Sequence, residues 1–288
     1  MSRELTTRHF DALGSTCELL SLGSKQAALE RSEQRIRAAE ARFTRFVRES
    51  ELAGLNASDG RYVPVSPQMF AMLQAALWAF EESEGLVNAA VLPALAAAGY
   101  DRPFRQGLTE PVVLLPAELP PLPQVLILDE ATRSAALAPG AALDLGGIVK
   151  GALADILIDE LGDDALCNLG GDLRARGTGP EGDGWHISLC DQSVVAIHDG
   201  AVCTSGTTRR RWGHSMHHLI DPRTGMPAKT DLGEVSVVTD SALRGEVYAK
   251  SAILLGAAAG IAWLEARGVH YAVVPAVGAG AGVLPAAA

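Results

Sequence analysis

The densest run of reactive side chains is His214-Ser215-Met216-His217-His218, which leads straight into Leu219-Ile220-Asp221-Pro222-Arg223-Thr224-Gly225. Imidazole is the side chain best suited to move a proton near neutral pH, and it is also a common zinc ligand. His214, His217 and His218 invite the zinc reading, but no nearby Cys or Glu completes a tetrahedral set. Asp221-Pro222-x-Thr224-Gly225 is turn chemistry: Asp starts the turn, Pro fixes φ and Gly accepts positive φ. Such a turn does not require the histidine that precedes it.

Two glycine turns carry a different chemistry. Leu143-Asp144-Leu145-Gly146-Gly147-Ile148-Val149-Lys150-Gly151 reads as a strand, a turn and a helix start, where free N–H groups attract anions. Lys150 adds a positive charge, although a structural turn with a solvated lysine explains the segment equally well. The Walker A spacing is not met. Asn168-Leu169-Gly170-Gly171-Asp172 reads as a tight turn with Asp172 bonding the backbone, or as room for a flat ring or a sugar. Ala201 to Gly206 ends a strand in Thr204 and Ser205, which read as hydrogen-bonding hydroxyls because the G-x-S-x-G elbow is absent. Glu246 and Lys250 lie i, i+4 on a predicted helix. They form either a surface ion pair worth ~0.3–0.5 kcal/mol or a carboxylate positioned for a hard cation.

The elements that must position these groups are legible from periodicity. Helices are predicted over 26–42, 67–82, 89–98, 148–161, 244–255 and 258–267. Strands are predicted over 15–21, 124–128, 134–137, 165–169, 185–189, 194–198, 201–204, 234–238 and 271–274, with 142–145 before the first glycine pair. Residues 43–56 read as a polar connection and 103–123 as an extended surface excursion. Strands and helices mix without β-α alternation, so the expected class is α+β with mainly antiparallel sheets and helices.

Of 288 residues, 48% are hydrophobic and 20% charged, which suffices for a real core. The net charge of −10 argues against nucleic acid as the main partner while leaving room for a locally held phosphate. Cys17, Cys167, Cys190 and Cys203 form no C-x-x-C pair and read as small side chains in a reducing compartment. The polar start and the absence of a span of ~20 apolar residues lead to the expectation of a cytoplasmic protein with no membrane partner.

In order and spacing, these segments resemble the ApbE family, the FAD:protein FMN transferases, from about Phe10 to about Gly256. The strongest parts are 143–151 with Asp155, 168–172, 204–206, and 218–222 through Thr224-Gly225. The resemblance implies a single FAD-binding domain over 1–288, divisible into two packed α+β subdomains, with the T-fold-like architecture of that family. It further implies FAD as substrate, with Mg²⁺ bridging its pyrophosphate. FMN would pass to a Thr or Ser of an acceptor flavoprotein, or to water, and AMP would leave.

Carried over residue by residue, Leu13 and Phe46 would line the flavin or adenine pockets, and Leu86, Val87 and Asn88 would add contacts. Lys150, Thr204, Ser205 and Ile220 would also meet FAD. Gly147 would offer a carbonyl to the metal. His218 would do acid–base work, with Asp221 beside it in the signature.

Four positions, in three places, depart from the family pattern. Leu13 stands where Met is usual, and Asn88 where Asp is usual. At the metal site, Glu246 and Lys250 replace Asp and Thr or Ser. An ammonium cannot ligate a cation, so Lys250 would itself neutralise the pyrophosphate, or Glu246 would bind Mg²⁺ with water filling the gap. The alternative function is an FAD-holding or delivery protein of weak activity. A zinc hydrolase using His214, His217 and His218 is the third reading.

Overall fold

The computed structural model describes residues 4–23, 25–109, 116–213 and 216–276. His214 and part of the 103–123 excursion therefore lie outside the described residues. The chain divides into two compact units, one from Met1–Ala38, Lys150–Gly206 and Thr230–Ala288, the other from Ala39–Val149 and Thr207–Lys229. The class is α+β with antiparallel pairing throughout the described ladders. Among the described residues no helix is long and apolar enough to cross a membrane.

The first unit is built on a seven-stranded sheet. Its order is Leu5–Ala12, Ser15–Leu22, Ala165–Leu169, Asp172–Arg176, Asp199–Gly206, Leu232–Thr239 and His270–Pro275. Side chains alternate between faces along a strand. One face carries Leu166, Leu173, Ala175 and Val202, which share a core with Trp185 and Ile197 of the small hairpin Trp185–Ser188/Val194–Ile197. On the other face the helix Ala242–Leu255 lies across the Asp172–Arg176, Asp199–Gly206 and Leu232–Thr239 strands. A Cβ at Gly245 would stand 2.8 Å from Thr239 Oγ1 and 2.9 Å from Cys203 Sγ, so only glycine lets the helix settle that close.

The helix Val149–Leu161 meets the start of Ala242–Leu255 through Asp155. Its carboxylate accepts from Ser241 Oγ (2.8 Å), the Ala242 amide (2.8 Å) and the Leu243 amide (3.0 Å), taking up donors that a helix start leaves unpaired. Asp155→Ala is expected to lower unfolding free energy by roughly 2 kcal/mol in a urea titration. A loss within ~0.5 kcal/mol would mean that water replaces these bonds without cost.

The second unit has a small sheet ordered Val63–Pro64, Ser134–Leu137, Leu126–Asp129, together with the helices Glu51–Asn56, Pro67–Glu82 and Leu92–Ala97. Ser66 caps Pro67–Glu82 by accepting from the Met69 amide, with Pro67 at the first helical position where its missing N–H costs nothing. Two short ladders, Arg211–Trp212/Met216–His217 and Ile220–Asp221/Met226–Pro227, carry the histidine-containing segment.

Several expectations need correction. The strand Leu5–Ala12 precedes Ser15–Leu22, and residues 51–56 are a helix capped by Ser50 rather than a connection. That helix buries only Leu52 and Leu55, too few positions to show a period. Residues 122–125 form a helical turn before a strand that begins at Leu126, and 142–145 are not a strand. The 89–98 helix is a 3₁₀ turn, Ala89–Val91, followed by Leu92–Ala97.

Candidate functional site

In the first unit Lys150 and Gly151, Asp172 after the second glycine turn, and the Glu246/Lys250 pair converge. Lys250 Nζ donates to Glu246 Oε1 at 2.8 Å, Lys150 Nζ stands 3.6 Å from the same oxygen, and Lys150 also donates to Asp172. The other oxygen, Glu246 Oε2, accepts from the Gly151 amide at 3.0 Å. The anion at this helix start is thus an internal carboxylate. Gly151 itself has backbone against it, since an added Cβ would lie 2.6 Å from the Ala242 carbonyl oxygen.

Two expectations change here. Glu246 and Lys250 are not a surface pair, because the side chains are 2% and 17% exposed. Nor does Asp172 hold the turn. Asn168 does that, accepting from the Gly171 amide at 3.0 Å, while Asp172 opens the next strand and faces Lys150.

The two carboxyls respond differently to burial. Desolvation, reinforced by the Glu246 charge, pushes the Asp172 carboxyl up to about 6 against the pull of Lys150 and Lys250. At Glu246 the same desolvation is outweighed by Lys250, Lys150 and the Gly151 amide, which hold it below its ordinary value.

Leu13 and Thr204 lie at the same end of this sheet. Leu13 and Gly14 form the two-residue hairpin turn, both with positive φ (54° and 66°), a conformation uncommon for leucine. A Cβ at Gly170 would strike Ser15 Cβ at 2.4 Å, and the Gly171 carbonyl accepts from the Thr204 amide at 2.8 Å. The Thr204 hydroxyl bonds the Ser236 hydroxyl at 2.7 Å, so it is a positioned hydrogen-bonding group. Ser205 follows it on the strand, half-buried.

In the second unit, Phe46 and Ile220 share one apolar cluster with Leu95, Ala98 and Tyr100. Sequence reasoning missed the charge in its middle. The Arg45 guanidinium lies 4.2 Å from the Phe46 ring centroid and 4.7 Å from that of Tyr100, with Nε donating to Asp144 at 2.6 Å. Its Nη2 is buried without a hydrogen-bond partner. The adjacency of Arg45 to Phe46 was the available signal, but Tyr100 and Asp144 are brought there by the fold. Asp144 also accepts from the Gly146 amide at 2.7 Å, shaping the 146–148 turn that contains Gly147.

Leu86 and Val87 are buried, and Asn88 spends both ends of its amide on backbone, at Ala90 N and Pro120 O (2.9 Å each). Its uncharged side chain is what this double bond needs. Asp221 accepts from Arg223 Nε (2.9 Å), Nη2 (2.8 Å) and the Arg223 amide (3.0 Å), and its carbonyl closes the turn at Gly225. Part of the 103–123 excursion packs back on this turn, through Ala117 N–Thr224 O and Leu119 N–Pro222 O.

His217 is a framework residue. One ring nitrogen bonds the Ala228 carbonyl (2.9 Å) and the other accepts from the Leu219 amide (3.3 Å), which fixes the neutral tautomer and leaves neither for zinc. His218, one residue on, is half-buried. Burial lowers the His217 pKa, Arg211 adding to the fall and the Ala228 carbonyl opposing it. The unfolded state then takes a proton first as pH drops below about 6.5, so stability present above that value is lost on acidification. Urea midpoints at about pH 7.5 and 5.5 should fall further for the native chain than for His217→Gln. Equal falls would remove His217 as the cause.

The ApbE family model matches residues 13–274. This chain belongs to the ApbE family. It is 31% identical over 277 residues to an FAD:protein FMN transferase of Klebsiella pneumoniae, spanning 88% of this chain and 84% of that protein. With one of the same name from Treponema pallidum it shares 32% identity over 242 residues, 72% of this chain and 66% of the other. Its fold matches the apo flavinyl transferase ApbE of Pseudomonas stutzeri with a TM-score of 0.81 at 22% identity, covering 96% and 94% of the two chains. The Thermotoga maritima ApbE protein matches at 0.79, with 20% identity and 94% coverage of each.

The ApbE resemblance implies Mg²⁺, and the donors at 246 and 250 do not fit it. Both Glu246 oxygens already hold protein donors, and position 250 offers an ammonium. A dication on Glu246 would have to share that carboxylate with the Lys250 ammonium at 2.8 Å, and the two cations repel. Among the described residues, three ligand atoms within 4.8 Å of one another occur instead at Glu181, Asp183 and His186, all exposed.

Proposed function

We propose that this chain is a flavin transferase that takes FAD as substrate and moves its FMN portion to a Thr or Ser of an acceptor flavoprotein. The observation that carries this reading is the 31% identity to the Klebsiella transferase over 88% of the chain. The geometry supports it in two places. Half-buried lysines at 150 and 250 supply positive charge suited to a pyrophosphate, and the orphaned Nη2 of Arg45, set among Phe46 and Tyr100, suits a planar ligand that brings an acceptor.

In the reaction proposed, the acceptor hydroxyl oxygen forms a bond to the FMN-side phosphorus. The bond from that phosphorus to the bridging oxygen breaks, and the oxygen leaves on AMP. His218 takes the hydroxyl proton, and no electrons are exchanged. Water in place of the hydroxyl gives FMN and AMP. Lys150 and Lys250 stabilise the charge that builds on the phosphoryl oxygens. Leu13, Thr204, Ser205, Leu86, Val87, Asn88 and Ile220 are the further FAD contacts, and Asp221 acts by holding the turn after His218.

A second reading, FAD holding without turnover, draws on Lys250 where a metal donor is expected. Incubation with FAD, with and without acceptor protein, separates the two: AMP release supports the transferase. Tight FAD binding with no AMP in either case would leave only the holder.

A further inference from the structure

We propose that this chain handles FAD without a divalent cation, the Lys250 ammonium together with Lys150 supplying the positive charge at the pyrophosphate. The inference rests on the flavin reading above. It starts from the order of burial within the cluster. The carboxylates lie deepest, Asp172 at 3% and Glu246 at 2% side-chain exposure, while Lys150 and Lys250 lie nearer solvent at 14% and 17%. The two lysine side chains are thus the members of the cluster that keep solvent access.

That arrangement attracts a pyrophosphate and repels a hydrated dication. Both Glu246 oxygens and Asp172 Oδ2 already accept from protein donors, so a cation would have to displace an ammonium or the Gly151 amide to gain a carboxylate ligand. Lys250 is held in place by its helix, since the i, i+4 spacing within Ala242–Leu255 puts it over Glu246. Glu246 is held in turn by the Gly151 amide. A fixed ammonium needs no reorganisation when the phosphate arrives, which is the property that makes a bound metal useful at such a site.

The test is FAD affinity, read by quenching of flavin fluorescence, for the full chain after chelation and again with excess MgCl₂. Affinities agreeing within about threefold are expected, with magnesium well below stoichiometric in the purified protein by elemental analysis. Lys250→Thr is expected to weaken FAD binding about tenfold or more under chelation, and added MgCl₂ to restore most of it. Lys250→Met should weaken it under both conditions. Binding by the native chain that falls about tenfold under chelation, or stoichiometric magnesium, would overturn the inference and leave the flavin reading standing. No FAD binding in either condition would overturn the flavin reading itself. The native-chain comparison needs no variant, so a Lys250 substitution that fails to fold leaves the test intact.

Discussion

Glu246→Ala is expected to lower the unfolding free energy of this protein by roughly 3–5 kcal/mol, measured by urea titration. The reason is what it leaves behind. Lys250 loses its partner at 2.8 Å, Lys150 loses one at 3.6 Å, and the buried Gly151 amide loses its acceptor beneath the half-buried lysines. Only Asp172 then remains to balance two ammonium groups. The double substitution Glu246→Met with Lys250→Met removes charge and partner together, and should recover more than half of the loss. A single-variant loss below ~1 kcal/mol would show that the lysines reach solvent when Glu246 is gone.

The second large effect concerns chemistry rather than folding. His218→Ala should reduce AMP release from FAD by about 10²–10⁴-fold while changing FAD affinity by no more than about threefold. A group that accepts a proton only in the transition state acts on turnover, whereas a group that grips the substrate acts on both. Equal losses in the two quantities would reassign His218 to binding. His217→Gln is the internal control. Its ring serves backbone at both nitrogens, so its replacement should move stability and its pH dependence first.

Local features of this molecule were legible in the residues. The i, i+4 spacing of Glu246 and Lys250 puts them together on any helix, and Pro67 suits the first turn of the 67–82 helix. Asp221-Pro222-x-Thr224-Gly225 specifies its turn, closed by the Gly225 amide on the Asp221 carbonyl, because Pro and Gly restrict φ wherever they stand. Features with weak local signals were missed. The strand Leu5–Ala12 alternates between exposed and half-buried positions with few apolar residues, and the 51–56 helix is barely longer than one turn.

By itself, then, the sequence determined the antiparallel α+β class, the glycine turns, the ApbE pattern and the identity of the two residues that break it at the metal site. Tertiary structure alone decided what that break means. Gly151 and Glu246 are 95 positions apart, and Lys150 and Asp172 are 22 apart, so their meeting depends on how the 149–161 and 242–255 helices lie against the sheet. The same packing decided that the His-His segment holds one framework ring, His217, and one candidate base, His218. Charge can be read from a residue letter. Desolvation cannot, because it is set by whatever distant chain comes to cover the group, and here it turned an ordinary i, i+4 pair into a buried charge centre.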